Sequence, residues 1–397
     1  MGTDVRNPAD RRRYPSRWPM RRGKELFKEI DERSPDGSEE LLSVSHITGI
    51  TPRSEKNVTM FQSESLVGYK ICRRNDIAAN TMWTWQGAIG VSAYDGVISP
   101  SYNVYRQRQD FYNPRYLDFL LREPALVDVY YSLSTGIRPS RRRLYPEEFL
   151  TIRFPVPPRN EQDKIVRFLE GKLAEVDKLL ECKQQELLLL QELVLRQFQD
   201  VSVRSITKVR LKRFVQLLQD FITLDPDATY VKTGMYNRGR GIFRREPTIG
   251  KDMGDSMFQE IHAGCVMISG QFAWEAATYI TRPEDEAGVA SHRYYLLKPS
   301  DKLSAEYIWC FLMSDYGQEI MKQCSHGAAG RNRPLNIKEL LNVYVPIPSD
   351  EYGLSDLDRN VNVLMDFRKL LSKEEDELSA LKSRIIADAV TGRMEVE

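Results

Sequence analysis

The sequence predicts an α+β chain in which two pseudo-symmetric globular domains are separated by two long helices that pair as an antiparallel coiled coil. Three observations lead there. First, "YLDFLLREP" at Tyr116 returns as "YIWCFLMSD" at Tyr307, 191 residues on, and the same offset carries Gly136 to Gly327, Leu144 to Leu335, Phe149 to Leu340 and "FPVPP" at Phe154 onto "VPIPS" at Val345. Two half-chain copies at such low identity describe a duplicated domain, not a short-period solenoid. Second, each copy runs from short β-rich segments broken by Gly, Pro and Asn, through a helix near residues 116–131 or 305–323, to a Pro-rich strand. Third, each copy is followed by a stretch with one narrow apolar stripe at heptad spacing.

Residues 1–17 read as a flexible basic tail, polar and arginine-rich without the apolar core of a signal peptide. Residues 18–157 form the first globular domain. Its opening "WPMRRGKELFKEI" at Trp18 aligns at the 191 offset with "VRLKRFVQLLQDF" at Val209. Further on the offset drifts to 189, setting "DIAANTMWTW" at Asp76 against "CVMISGQFAW" at Cys265, and "VISPSYNVY" matches "VASHRYYLL". Residues 87–104, "GAIGVSAYDGVISPSYNV", place three glycines where a phosphate loop is conceivable. Gly87, Gly90 and Gly96 fit neither G-x-G-x-x-G nor a loop ending in Gly-Lys-Ser/Thr, and Tyr94-Asp95-Gly96-Val97 predicts a hairpin turn, with Asp95 and Gly96 supplying the positive-φ positions.

Residues 158–205 are the first long helix, with Leu169, Leu173, Val176, Leu180, Leu187, Leu190 and Val194 on its seam and Lys183 as the polar intruder. Residues 206–348 form the second globular domain. Residues 349–397 are the second long helix, where Leu357, Leu364, Leu371, Leu378 and Ile385 recur every seventh residue and Phe367 and Leu381 take the other seam position. Two narrow stripes of similar length bury each other when the helices pair. The competing reading packs each helix on its own domain.

At 397 residues, two or more domains are expected on size alone. A hydrophobic content of 41% against 28% charged residues describes an ordinary soluble protein, and no apolar run approaches the length of a bilayer span. An intracellular protein is expected. Cys72, Cys182, Cys265, Cys310 and Cys324 are odd in number and scattered, which suits free thiols; His46, His262, His292 and His326 are dispersed, and no zinc spacing is visible. The net charge of +1 conceals an uneven distribution, with acidic residues gathered on the long helices and basic ones at Arg138 to Arg143 and in residues 232–245. No catalytic motif stands out, and Glu374-Glu375 and Asp376-Glu377 read as a solvated helix face.

The stretches "FPVPPRNEQDKIVRFLEGKLAEVDKLLECKQQELLLLQE" at 154–192, "LKSRIIADAVTGRMEV" at 381–396 and "WQGAIGVSAYDGVISPSYNVY" at 85–105 resemble the specificity subunit of type I restriction-modification enzymes, the HsdS family. They look like its central conserved region, the end of its distal conserved region and the closing strands of a target recognition domain. The distal copy departs from the pattern, since "PIPSDEYGLSDLD" has no Pro-Pro-x-x-Glu-Gln run. The resemblance implies a non-catalytic subunit of a prokaryotic cytoplasmic complex, away from membranes. Each globular domain would read one half of a bipartite, asymmetric target in double-stranded DNA, and the helices would fix the unread gap. The implied partners are two modification subunits, which bind S-adenosylmethionine and methylate adenine, and restriction subunits using ATP and Mg; this chain itself would bind no cofactor or metal.

The candidate readers are Trp83, Trp85, Arg138, Arg141, Arg142 and Arg143 in the first domain, and Lys232, Arg238, Arg240, Arg244, Arg245, Trp274, Arg331, Asn332 and Arg333 in the second. Arginine and asparagine make bidentate contacts to guanine and adenine edges, and arginine and lysine neutralise phosphates. Residues 136–138 and 327–333 occupy equivalent positions in the two copies, so their arginines are expected to do equivalent work. Against this stands a solvated or phosphate-only role for any one arginine, and a core role for the tryptophans. The rival from another class is a bivalent protein-binding scaffold, whose binding would change little with salt.

Overall fold

The structure is a computed structural model and describes residues 14–55, 65–136, 142–203, 207–327, 333–348 and 353–396. The chain folds as two compact units, one comprising residues 1–179 with 376–397 and the other residues 180–375.

The first unit is built on a four-stranded antiparallel sheet in the order Phe27–Ile30, Asn103–Gln107, Ile77–Ala79, Ile89–Val91. Two helices, Pro114–Leu121 and Pro124–Leu133, follow. The single helix expected over 116–131 is thus broken: Pro124 starts a new helix, and the Glu123 side chain caps it by accepting from Leu126 N. A short antiparallel pair, Met20–Arg22 with Arg153–Pro155, closes the domain. Tyr14 and Trp18 are buried in its core, so Tyr14, within the stretch assigned above to the basic tail, is packed, and exposed Arg17 donates to Glu161 at 3.1 Å.

The second unit repeats this frame. Its sheet runs Val215–Leu218, Tyr294–Pro299, Val266–Ser269, Thr278–Ile280, its helices are Ala305–Met313 and Asp315–Gln323, and its closing pair is Thr207–Arg210 with Tyr344–Ile347. Ser304 and Ser314 cap the two helices. The opening segments match at 188 residues, not 191: Gly23 N bonds Ile152 O where Leu211 N bonds Val343 O, and Arg22 faces Arg153 where Arg210 faces Tyr344. Both copies put an amphipathic strand there, and apolar pattern alone cannot fix its register to better than a few residues.

The units differ in what is added to the frame. The first carries the hairpin Leu42–Ser45 with Gly49–Pro52 and the pair Lys70–Cys72 with Gly96–Ile98. The second carries a five-stranded sheet ordered Phe221–Ile222, Phe258–Glu260, Val289–Ser291, Lys232–Met235, Ile242–Arg244, with one parallel pair. The hairpin expected across Asp95-Gly96 is therefore absent. Ile89–Val91 pairs with Ile77–Ala79 whereas Gly96–Ile98 pairs with Lys70–Cys72, so the turn passes between sheets. Gly96 is required for close approach instead of positive φ: a Cβ there would lie 2.4 Å from the Glu40 carbonyl oxygen.

The long helices are Arg159–Val203, 45 residues, and Leu354–Val390, 37 residues. In the first unit Leu169 and Leu173 share a core with Ile385, Ala389 and Val390, Val176, Leu378 and Leu381 are half-buried, and Lys382 pairs with Asp177 at 2.6 Å. In the second unit Val194, Phe198 and Val201 share a core with Leu357, Val361 and Leu364; Leu371 is buried, and Leu180, Leu187 and Leu190 are half-buried. There Lys183 pairs with Glu374 at 2.6 Å, Gln184 with Glu375 at 2.8 Å, Arg368 with Gln191 at 2.9 Å and Asn360 with Gln197 at 2.8 Å. From Lys183–Glu374 to Gln197–Asn360 the first number rises by 14 while its partner falls by 14, which is antiparallel pairing. Phe367 is half-buried; the buried residues of the alternate seam are Val361 and Arg368. Burial pulls the Arg368 guanidinium down to about 10.

Among the described residues no helix is long and apolar enough to cross a membrane, and no group of three or more His, Cys, Asp and Glu side chains could hold a metal ion. All five cysteines are free, and four are buried; burial pushes the Cys72 thiol up to about 12.

Candidate nucleic-acid interface

In the first unit Trp85 lies on the 3-10 turn Thr84–Gln86 and Trp83 immediately before it, between two strands of the main sheet. Asn80 organises the turn. Its carbonyl accepts from Trp83 N at 2.8 Å, Thr84 N at 2.7 Å and Thr84 Oγ1 at 2.7 Å, and its side-chain oxygen accepts from Met82 N. Gly87 then leaves the turn at φ +88, where a side chain is unfavourable. The result is a ladder of rings. Trp83 and Trp85 stack with centroids 6.0 Å apart and planes 18° apart, Trp85 meets Tyr131 at 5.9 Å, and the Arg142 guanidinium lies 4.1 Å from the Tyr131 centroid.

Exposure divides these residues by role. Trp83 is 43% exposed and Tyr131 45%, whereas Trp85 is half-buried and donates its indole N–H to the Met82 carbonyl at 2.7 Å. Arg142 donates to the Tyr131 and Ser134 carbonyls at 3.0 and 3.3 Å, so it caps the helix Pro124–Leu133 and fixes Tyr131. Arg143 is exposed, its backbone paired in both directions with Thr135. Leu144 N donates to the Thr81 carbonyl at 3.2 Å, tying this arginine segment to the tryptophan turn. Arg138 and Arg141 lie outside the described residues.

The second unit repeats the construction with other side chains. Trp274 sits on the 3-10 turn Ala273–Glu275, is half-buried, and donates its indole N–H to Gln271 O at 3.1 Å. Ala276 stands where Gly87 does, in the same left-handed conformation at φ +55. Leu335 N donates to Gly270 O at 2.7 Å, the counterpart of the Leu144 bond, and brings exposed Arg333 to 5.4 Å over the Trp274 ring. Arg331 and Asn332 lie outside the described residues.

Beside this turn lies the hairpin of Lys232–Met235 with Ile242–Arg244. Its loop, residues 236–241, docks on the Trp274 turn: Arg238 N donates to Glu275 O and Gly239 N to Ala276 O, both at 2.8 Å. Gly239 is needed at φ +59, and a Cβ there would come within 2.8 Å of Met313 Cε. Arg238 and Arg240 are exposed, and Arg240 lies over Tyr236 at 5.4 Å. The structure thus gathers Trp274, Arg333, Arg238 and Arg240 at one turn. Lys232, Arg244 and Arg245 lie at the base of the hairpin, about 10 Å away at some 3.3 Å per strand residue. Lys232 is half-buried and Arg245 lies 6.0 Å from the Phe243 ring. Arg244 is committed elsewhere: it donates to the Glu284 carbonyl and lies 3.3 Å from the Asp285 carboxylate.

Sequence reasoning missed Tyr131 and Tyr236, the rings on which Arg142 and Arg240 rest. For Tyr236 a signal existed in its position next to Asn-Arg-Gly-Arg-Gly, a turn rich in cations. Tyr131 carried none, being one more aromatic on an apolar helix.

No family model and no curated protein matches the sequence. Among solved structures, a chain from work on complex assembly and conformational transition of the type I restriction-modification system is 16% identical, with 96% of this chain and 99% of that chain covered and a TM-score of 0.58. The HsdS subunit from Thermoanaerobacter tengcongensis is 16% identical over 96% of this chain and 98% of that one, at a TM-score of 0.42. The S subunit of a type I system from M. genitalium is 12% identical over 94% and 96%, at 0.43. The first of these likenesses is one of fold: the chain shares its fold with a chain from a type I restriction-modification system.

Proposed function

We propose that this chain is the DNA-specificity subunit of a type I restriction-modification complex, each unit reading one half of a bipartite, asymmetric target in double-stranded DNA. The observation that carries this reading is the repeated construction of the two heads. At equivalent turns a tryptophan is pinned by its own N–H, an arginine is drawn over an aromatic ring beside it, and further exposed cations flank the site in the second head. Guanidinium groups held on rings lose little freedom on meeting a base edge or phosphate. The shared fold supports the same reading.

The long helices would set the unread gap and dock two modification subunits. In the second unit Leu188, Leu189 and Leu193 of the first helix and Val363 and Leu370 of the second are each more than half exposed, apolar surface that suits a protein partner. On this reading S-adenosylmethionine belongs to the modification subunits, ATP and Mg to restriction subunits, the chain is no enzyme by itself, and the complex works in a prokaryotic cytoplasm.

The test begins by mapping methylated adenines in DNA from the source cells, which gives both half-sites and the gap. One matched heptad is then deleted from each helix, between Leu180 and Leu187 and between Leu371 and Leu378, the stretch where Lys183 faces Glu374. Each heptad is about 10.5 Å of helix, or about three base pairs. Methylation should keep both half-sites and move to a gap shorter by a few base pairs. A deletion variant that methylates the original target at its original gap would sink the spacer reading. A chain whose binding to the mapped duplex does not weaken with salt would favour the protein scaffold.

A further inference from the structure

We propose that the first unit receives an unstacked nucleobase on Trp83, at the outer end of the ladder Trp83, Trp85, Tyr131, Arg142. The inference deepens the DNA-reading assignment and rests on it. Trp83 is 43% exposed although its turn is held by three hydrogen bonds to the Asn80 carbonyl, so a large flat ring is presented rigidly to solvent. Met82 beside it is 36% exposed. A stacked duplex offers base edges and phosphates to a protein, and an indole ring meets an edge with one N–H donor at most. It gains from a base face, which becomes available when a base leaves the stack. The charge around the platform suits that occupant: Arg142 is locked over Tyr131, and exposed Arg143 follows it, so a cation stands where the backbone of an extruded nucleotide would run.

The second copy argues that this is no by-product of the fold. The residue matching Trp83 is Phe272, which is half-buried, and the residue matching Tyr131 is Lys322. Arg333 sits directly over Trp274 there, which leaves no stepped aromatic platform. One half-site is therefore opened by the first unit, while the second reads stacked duplex through its cations.

The full chain is titrated with a short oligothymidylate and with an abasic oligomer of the same length and charge, followed by tryptophan fluorescence and anisotropy. The oligothymidylate should bind more tightly and quench fluorescence, Trp83→Ala should weaken it about tenfold, and Trp83→Phe should restore most of the loss. Affinity for the abasic oligomer should not change. Equal binding of the two oligomers by the wild-type chain, a comparison that needs no variant, overturns the proposal, as does a Trp83→Ala effect of the same size on both. If the mapped duplex is still bound specifically in that case, only this inference falls; if the chain binds no DNA, the specificity-subunit reading falls with it.

Discussion

Arg240 and Arg244 are four residues apart on one hairpin, and the structure gives them opposite fates. Arg240 is exposed over Tyr236, and its neighbour Arg238 is exposed in the same loop. Arg244 is bound to the Glu284 carbonyl and to Asp285, whose side chain is only 4% exposed. A phosphate contact releases condensed counterions and contributes about 0.9 to the slope of log affinity against log salt. Replacing Arg238 and Arg240 together by Ala should thus flatten the slope by about 1.8, so that a fourfold rise in salt costs the variant roughly twelvefold less affinity than it costs the wild type. Arg244→Ala should leave the slope unchanged and instead lower stability by about 1 kcal/mol, since the lost ion pair is half exposed on the arginine side. The assay is anisotropy with a labelled duplex carrying the mapped target across a salt series, with urea denaturation of each variant. Equal slope changes for Arg240→Ala and Arg244→Ala would refute the argument that an internal carboxylate removes an arginine from phosphate binding.

Leu364 is fully buried on the seam of the second unit, so Leu364→Ala should cost about 3 kcal/mol in urea denaturation, whereas Leu378→Ala, half-buried, should cost clearly less; equal costs would mean that seam burial does not govern stability. Gly87 and Ala276 hold the same left-handed position, so Gly87→Ala should lower the melting stability by about 1 kcal/mol while Ala276→Gly is neutral or slightly stabilising. A loss on Ala276→Gly as large as that on Gly87→Ala would remove the conformational explanation. The Arg17 side chain, helped by the Trp18 N–H, holds the Glu161 carboxyl below the usual glutamate range. Its contribution is present above the unfolded pKa and is lost as pH falls through the lower folded value, so Glu161→Gln should flatten the acid side of the stability profile. An unchanged acid limb would show the pair to be inconsequential.

The frame was legible because it is written twice and because its constraints are periodic. Leu169, Leu173, Val176, Leu180, Leu187, Leu190 and Val194 are the buried or half-buried positions of a helix whose intervening residues are mostly exposed, and a heptad reports that directly. Arg368 was illegible for the same reason, since a period-based reading passes over a charged residue at a buried seam. The Asp95-Gly96 turn misled because two uses of glycine, positive φ and close backbone approach, leave the same letter in the sequence. At the candidate interface the tryptophans and arginines could be named, but whether an arginine faces solvent depends on its neighbours from elsewhere in the chain. Asp285, which engages Arg244, is 41 residues away, and nothing local announces it.

The repeat also says where discrimination should be sought, and it is not where the copies agree. Trp85 and Trp274 match each other, and each spends its indole N–H on the carbonyl three residues before it. Leu144 and Leu335 match and make the same backbone bond to the turn. These shared residues build the turn in both heads and so, on the proposed DNA-reading function, would carry no information about which half-site is met. The differences are at Trp83 against Phe272, Tyr131 against Lys322, and the hairpin with Arg238 and Arg240, which belongs to a five-stranded sheet with no counterpart among the described residues of the first unit. An asymmetric target needs two heads that differ in what they present while agreeing in how they are held. A residue kept in both copies is then best explained by folding, and a residue exposed in one copy and replaced in the other is the better candidate for reading DNA.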